Sequence, residues 1–322
     1  MRFFINNETD PACNLALEET LFRKFPEPFL MLWRNRSSVI VGKNQNTLAE
    51  VDAAFAEAHQ ITVIRRITGG GAVYHDTGNV NYSLLIPERH PEADSFSHFA
   101  RPVVEALQKM GIPARFSGRN DIEAEGRKIS GSAQCCSGNR TLFHGTLLFD
   151  ADLDMLSKVL TPGKIKIEAK GIRSVRARVG MIKEYLPALS VEGFIQALAL
   201  QLNVTAGPVE KIPEAFVKEA QALADSRYRT WEWNWGYPFE CTWENSAKFP
   251  AGVVTLKIRA VNSRIEEARI EGDFFGDPAP LEKALQGALL RRCAAAERLA
   301  ETAVEEHIKN LTKEEFLSLI NL

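Results

Sequence analysis

Residues 65–83, RRITGGGAVYHDTGNVNYS, set three consecutive glycines between an arginine pair and a His-Asp couple. That combination suits an anion. Gly69, Gly70 and Gly71 carry no Cβ, so the chain is free to take positive φ and aim several N–H groups at one ligand oxygen. Arg65 and Arg66 add permanent charge in a planar fork that matches carboxylate or phosphate oxygens. A glycine-rich turn between solvated arginines competes with this reading. The flanks favour the anion site: Ile61, Val63 and Ile64 read as a buried strand entering the loop, and Asn81 to Ile86 as another leaving it.

A second constellation occupies residues 118–149, GRNDIEAEGRKISGSAQCCSGNRTLFHGTLLF. Lys128 follows a polar turn, Glu125-Gly126-Arg127, and precedes the small-residue run Ile129 to Ala133, where a ligand can lie against a strand. Most lysines are surface charges, so the small neighbours and the Phe143-His144-Gly145 strand carry the case for a concave site. Asn120-Asp121 offers carbonyl and carboxylate oxygens to a purine edge, a ribose or a metal, and would equally cap a turn. His75 and His144 stand at no metal-ligand spacing and read as pocket lining ahead of general bases. Lys164, Lys166, Lys170, Arg173, Arg176 and Arg178 are either a solvated face or, with Gly163 and Gly171 among them, a loop that closes on an anion.

These residues need supports. Asp10 as N-cap and Pro11 at the first helical position precede Leu17, Leu21 and Phe25, which predicts an amphipathic helix at the start of the chain. Phe29 to Trp33 and Val39 to Val41 read as core strands. Further helices are expected over Phe99 to Gly111, 151–160 and 191–202. Strands cluster around the glycine loop without a regular βαβ alternation, which makes the class α+β. Past residue 227, Trp231, Trp233, Trp235 and Trp243 crowd one segment and read as glue at an interdomain seam. Residues 245–252 look like a linker. Beyond them the alternation around Leu256 and Ile270, with Asn262-Ser263 between, predicts a hairpin with one bulge. Helices follow at 281–291 and around Leu299 and Phe316.

A chain of 322 residues suggests a large domain plus a smaller one. A formal net charge of −2, with no basic arm, excludes a general nucleic-acid binder. The N-terminus has no apolar signal region, and no run approaches the roughly 20 apolar residues needed to span a bilayer, so the expectation is a soluble, cytoplasmic protein with no membrane partner. Five cysteines without paired metal spacing fit free thiols in a reducing compartment.

Together the motifs RRITGGGAVYHDTGN, GRNDIEAEGRKISGSA, FHGTLLFDADL, AKGIRSVRARV and TWEWNWG resemble the lipoate-protein ligase A family in its long form, over nearly the whole chain. The resemblance implies a biotin/lipoate-ligase-like catalytic domain of mixed sheets with flanking helices over 1–245, and a small α+β accessory domain over 246–322. It implies ATP and Mg²⁺ as cofactors, lipoyl-AMP as intermediate, and transfer of the lipoyl group to a lysine of an acceptor. By that resemblance Lys128 is the catalytic lysine, touching both ATP and lipoate. Arg66, the backbone of Gly71, Ala72, Val73 and Tyr74, and Asn120 would bind ATP, with Asp121 on the metal. Arg65, Gly70, His75, His144 and Leu17 would line the lipoate side. Thr68 stands where a serine is common in the family and keeps the hydroxyl. Lipoyl domains of 2-oxoacid dehydrogenase E2 subunits and the glycine-cleavage H protein are the implied acceptors, and the chain is expected to act as a monomer. Two rivals stand beside this: an acyl transferase working through a thioester on Cys135 or Cys136, activated by Lys128 and Arg127, and a non-catalytic lipoyl-binding module.

Overall fold

The fold is that of a computed structural model, which describes residues 1–86, 96–160, 178–236 and 243–320. Its N-terminal part contains β1 (Arg2–Ile5), β2 (Phe29–Trp33), β3 (Ser38–Val41), β4 (Thr62–Arg65), β5 (Val73–His75), β6 (Asn79–Ile86), β7 (Ala114–Ser117), β8 (Asp121–Ala124), β9 (Arg127–Ser137), β10 (Arg140–Leu148) and β11 (Val209–Glu210). Eight of these form one mixed sheet in the order β11-β1-β2-β6-β10-β9-β8-β7, and β4-β3-β5 form a second. The α+β class and mixed sheets expected from the sequence are present.

The large sheet is covered on both faces. Helices Phe96–Lys109 and Val191–Ala206 bury Phe99, Val103, Phe194 and Leu198 against Leu32, Val80, Tyr82 and Phe143 on one side. On the other lies helix α1 (Pro11–Lys24), capped by Asp10, whose carboxylate accepts from the amides of Ala12 and Cys13. This helix is not amphipathic. Eleven of its fourteen residues are buried, because it is wedged between the sheet and helix Glu214–Leu223. Its polar residues are therefore buried with partners, Glu19 pairing with Arg23, Arg227 and the Tyr228 hydroxyl.

β8 and β9 are joined by Glu125 and Gly126, both at positive φ (51° and 77°), the two-residue turn that matches strand twist. The pairing register shifts just after that turn, leaving Ile129 unopposed: Ile122 faces Ser130, yet Glu123 faces Lys128. A bulge of this kind re-aims the side chain beside it.

The C-terminal domain is the sheet β12 (Trp243–Phe249), β13 (Gly252–Val261) and β14 (Arg264–Gly272) backed by short helices. The hairpin and its irregularity at Arg259/Ala260 occur as expected, with Asn262 and Ser263 both left-handed. Two expectations fail. The stretch 245–252 is no linker but most of β12 and its turn, so a boundary after residue 245 would split a strand. The helix expected over 281–291 stops at Leu285, near Gly287 at φ 78°, and a new one starts at Arg292.

The tryptophans do not form the seam. Trp233 and Trp235 pack into the N-terminal domain, Trp231 is exposed, and only Trp243 packs in the C-terminal core. The domains meet instead around the glycine loop: Gly70 N–H donates to Phe274 O at 3.0 Å and Gly272 N–H to Asn44 O at 2.8 Å, while Phe275 packs into the N-terminal core beside Phe96.

Candidate active site

A cleft of about 430 Å³ opens between the two N-terminal sheets, with the C-terminal domain as a third wall. Gly70, Gly71, Ala72 and Val73 supply one side, Lys128, Gly131 and Ser132 the other, and Phe249, Pro250, Val253 and Asp273 reach in from the C-terminal domain.

Arg66 fixes the glycine loop. Its Nε donates to Thr68 Oγ1 at 2.9 Å, and its terminal nitrogens donate to the carbonyls of Ile40 (3.1 Å), Gly69 (2.6 Å) and Gly71 (3.0 Å). Burial, opposed by Glu18, pulls its pKa from 12.5 to about 10, so it stays cationic at neutral pH. It faces the cleft as a fixed charge whose fork is already engaged by the loop. Gly70 sits at φ 93°, and a Cβ on Gly69 would lie 2.4 Å from Phe274 O, so both need glycine.

Lys128 lies across from this loop, its Nζ 2.7 Å from Asp121 Oδ1 and its side chain 39% exposed. Gly131 makes room for it, since a Cβ there would be 2.9 Å from Nζ. Asn120 is held by β9, its Nδ2 donating to Ser132 O at 2.6 Å while its carbonyl accepts from Ser132 N–H at 2.8 Å.

Beneath the floor runs a buried relay. Thr68 Oγ1 meets His144 Nε2 at 2.9 Å, His144 Nδ1 meets both Glu18 oxygens at 2.9 Å, Ser83 donates to Glu18, and Trp33 Nε1 donates to Ser83 Oγ at 2.8 Å. His75 stands apart, with Nδ1 3.1 Å from Asn35 Nδ2. Burial, helped by Arg66 and His144, drives its pKa from 6.5 to about 3, so the ring is neutral at physiological pH.

The expected Lys128, Arg66, Asn120, Asp121, His75 and His144 thus converge on one cleft with Gly70 to Val73. Two expectations, Arg65 and Leu17, are corrected. Arg65 points away, its guanidinium bonded to the carbonyls of Gly42, Lys43 and Gln45 and to Thr47 Oγ1. The Tyr74 side chain turns to the opposite face of β5, as strand alternation demands, its hydroxyl 3.3 Å from Ser37 Oγ, which leaves the expectation for its backbone untouched. Leu17 packs in the core, and Leu15 takes its place at the cleft. Lys164, Lys166, Lys170, Arg173 and Arg176 lie outside the described residues, which resume at Arg178; Arg178 is half-buried, and the next residue, Val179, is bridged to Lys128.

Residues the sequence reading missed include Glu18, Trp33, Asn81, Arg119 and the C-terminal Pro250 and Asp273. Asn79, Asn81 and Ser83 gave a usable signal: polar residues at period two in an otherwise apolar strand. The cysteine route loses its basis. Among the described residues no cysteine lines the cleft, and burial, followed by Glu18, pushes the Cys135 thiol up rather than down.

Residues 10–203 match the family model of the lipoyl protein ligase A/B catalytic domain, and 239–320 that of the bacterial lipoate protein ligase C-terminus. Lipoate-protein ligase 1 of Staphylococcus aureus (strain Mu50 / ATCC 700699) is 40% identical, with all of both chains covered. Among solved structures, a bi-partite lipoate protein ligase and its E2 lipoyl domain from Thermoplasma acidophilum matches at 30% identity and TM-score 0.66, over 75% of this chain and 98% of that one. A lipoate-protein ligase A bound with ATP matches at 30% identity and TM-score 0.64, over 73% and 98%. With both domain models matched in order and a relative alike from end to end, the chain belongs to the lipoate-protein ligase A family.

Proposed function

We infer that this cleft joins lipoate to AMP and then hands the lipoyl group to a lysine of an acceptor protein. The observation that carries the roles is Lys128 facing the glycine loop across one cleft, a half-exposed cation opposite a buried one. An anionic carboxylate has to attack an anionic phosphate, so the first requirement is charge neutralisation in line with the attack. Lys128 Nζ supplies it at the carboxylate and α-phosphate; Arg66 supplies it from behind the loop.

A carboxylate oxygen forms a bond to the α-phosphorus of ATP, and the bond to the bridging oxygen breaks as pyrophosphate leaves. Ala72 and Val73 present main chain to the adenylate, and Asn120 faces the nucleotide. The acyl arm runs into the apolar end lined by Leu15, Trp33, Ile40 and Val73. In the second step a neutral lysine amine of the acceptor attacks the acyl carbon, AMP leaves, and the amine proton passes to solvent. No enzyme nucleophile is required. Asp121, paired with Lys128 and facing the cleft, would be the carboxylate to hold Mg²⁺, which would supply further charge neutralisation. Lipoyl domains of E2 subunits are the acceptors we assign first, supported by the E2 lipoyl domain named with the Thermoplasma ligase, and the glycine-cleavage H protein is assigned beside them on the family resemblance alone.

The test is pyrophosphate release with lipoate and ATP. Lys128→Ala should slow it by about 10²–10³-fold, the cost of removing one preorganised charge-stabilising donor. An exposed ion pair contributes about 1 kcal/mol at most, so the fold should be retained. Unchanged release would remove Lys128 from the mechanism.

A further inference from the structure

Two buried polar groups in the apolar end of the cleft have no partner among the described residues: His75 Nε2 and Asn81 Nδ2. Their residues are 4% and 2% exposed. Orphaned polar atoms at this depth are uncommon in folded proteins and call for a ligand or a trapped water.

The proton on His75 can be located by following the amides. Asn14 Nδ2 donates to the main-chain carbonyls of Glu8 (2.9 Å) and Arg34 (2.7 Å), which fixes which end of that amide is nitrogen. The same nitrogen lies 2.9 Å from Asn35 Oδ1 and can share one of its two hydrogens with it, whereas two NH2 groups facing each other at that distance would repel, so Asn35 turns its own Nδ2 to His75 Nδ1. Nδ1 is therefore an acceptor, and a neutral imidazole then carries its hydrogen on Nε2. Asn81 Oδ1 accepts from Asn79 Nδ2 at 2.9 Å, and in that orientation Asn81 Nδ2–H is open to the cleft.

These donors lie far from the reacting lysine. Trp33 pairs with Asn81, Asn81 with Thr146, and Thr146 falls opposite Gly131, giving one row across β2, β6, β10 and β9. Asn81 is thus two strand spacings, roughly 10 Å, from Gly131 and the Lys128 ammonium above it. A substrate with its carboxylate at Lys128 brings its far end to His75 and Asn81. In a plain fatty acid that end is methyl and methylene, which would leave both donors desolvated. In lipoate it is a dithiolane ring, whose sulfurs are weak acceptors.

We propose that His75 Nε2–H and Asn81 Nδ2–H recognise the dithiolane sulfurs and make the cleft selective for a sulfur-bearing ring over a hydrocarbon tail of the same shape. The proposal rests on the reading of this cleft as the lipoate-activating site. Sulfur bonds are weak, so the discrimination is modest, about fivefold for each net hydrogen bond of about 1 kcal/mol.

The probe is 5-cyclopentylpentanoate, which replaces both sulfurs by methylenes and keeps the ring. An entirely apolar pocket would use this acid at least as well as lipoate. Pyrophosphate release by the wild-type protein should instead favour lipoate in kcat/KM by about five- to twentyfold. His75→Phe and Asn81→Leu, which keep approximate shape and remove one donor each, should bring that ratio towards one. Equal use of the two acids by the wild-type protein would overturn the proposal, as would variants that lose both acids in parallel at a constant ratio. No release with either acid would instead sink the underlying assignment of the cleft.

Discussion

Acid should unfold this protein partly through a single imidazole. His75 is held neutral in the fold, with its pKa lowered to about 3, while in the unfolded chain it titrates near 6.5. Below pH 6.5 the unfolded state binds a proton that the folded state refuses, so stability falls with pH from 6.5 down towards 3 and is unaffected above. Each unit in that window costs about 1.36 kcal/mol, and the one and a half units between pH 6.5 and 5 cost about 2 kcal/mol. The assay is urea unfolding at pH 7 and pH 5, followed by tryptophan fluorescence, on the wild type and on His75→Phe. Carboxylates and other histidines contribute to both proteins, so they cancel in the difference. The wild type should lose about 2 kcal/mol more than the variant between the two pH values. Equal losses would mean that His75 takes up its proton in place, and the tautomer derived from Asn35 would fall with it.

Glu18→Ala removes the acceptor of His144 and of Ser83 in one step; it should cost about 2–4 kcal/mol in urea unfolding, and a loss below about 0.5 kcal/mol would show the relay to be slack. Gly69→Ala should destabilise by about 1–3 kcal/mol because its Cβ would sit 2.4 Å from Phe274 O, whereas Gly71→Ala, with its nearest neighbour at 3.8 Å, should change stability by no more than about 0.5 kcal/mol. Thermal melts of the pair test that contrast, and equal shifts would contradict the seam. Replacing Cys135 and Cys136 together by serine should leave acyl transfer within about threefold; a loss of about 10³-fold in a folded protein would restore a thioester route.

The sequence made the chemistry legible where it is local. The glycines, Lys128 with its small neighbours, and the β13–β14 hairpin are each encoded in one short continuous segment, so spacing alone exposes them. Arg65 and Arg66 show the limit. Adjacent residues on a strand face opposite ways, and only the assembled sheets decide that Arg66 meets the glycine loop while Arg65 binds the carbonyls of Gly42 to Gln45. Leu17 was misplaced for a similar reason, because a helix enclosed on nearly all sides gives no periodic cue to which residue meets the cleft. The linker reading failed because β12 is polar and half-exposed, and its pairing partner comes later in the chain. The C-terminal wall of the cleft, Pro250 and Asp273, is set by a docking of domains that no local pattern records.

β6 carries Val80, Tyr82 and Leu84 into the apolar core on one face and Asn79, Asn81 and Ser83 to the other. Slipping that strand by one residue against β2 or β10 would exchange the two sets, driving three amide or hydroxyl side chains into hydrocarbon. The stripe that carries Asn81 to the cleft therefore also proofreads the assembly of the sheet: a misregistered chain is penalised by several kcal/mol before any ligand arrives. Making all three positions apolar at once, unlike the single Asn81→Leu change, would remove that check, and its first symptom should be misfolded protein.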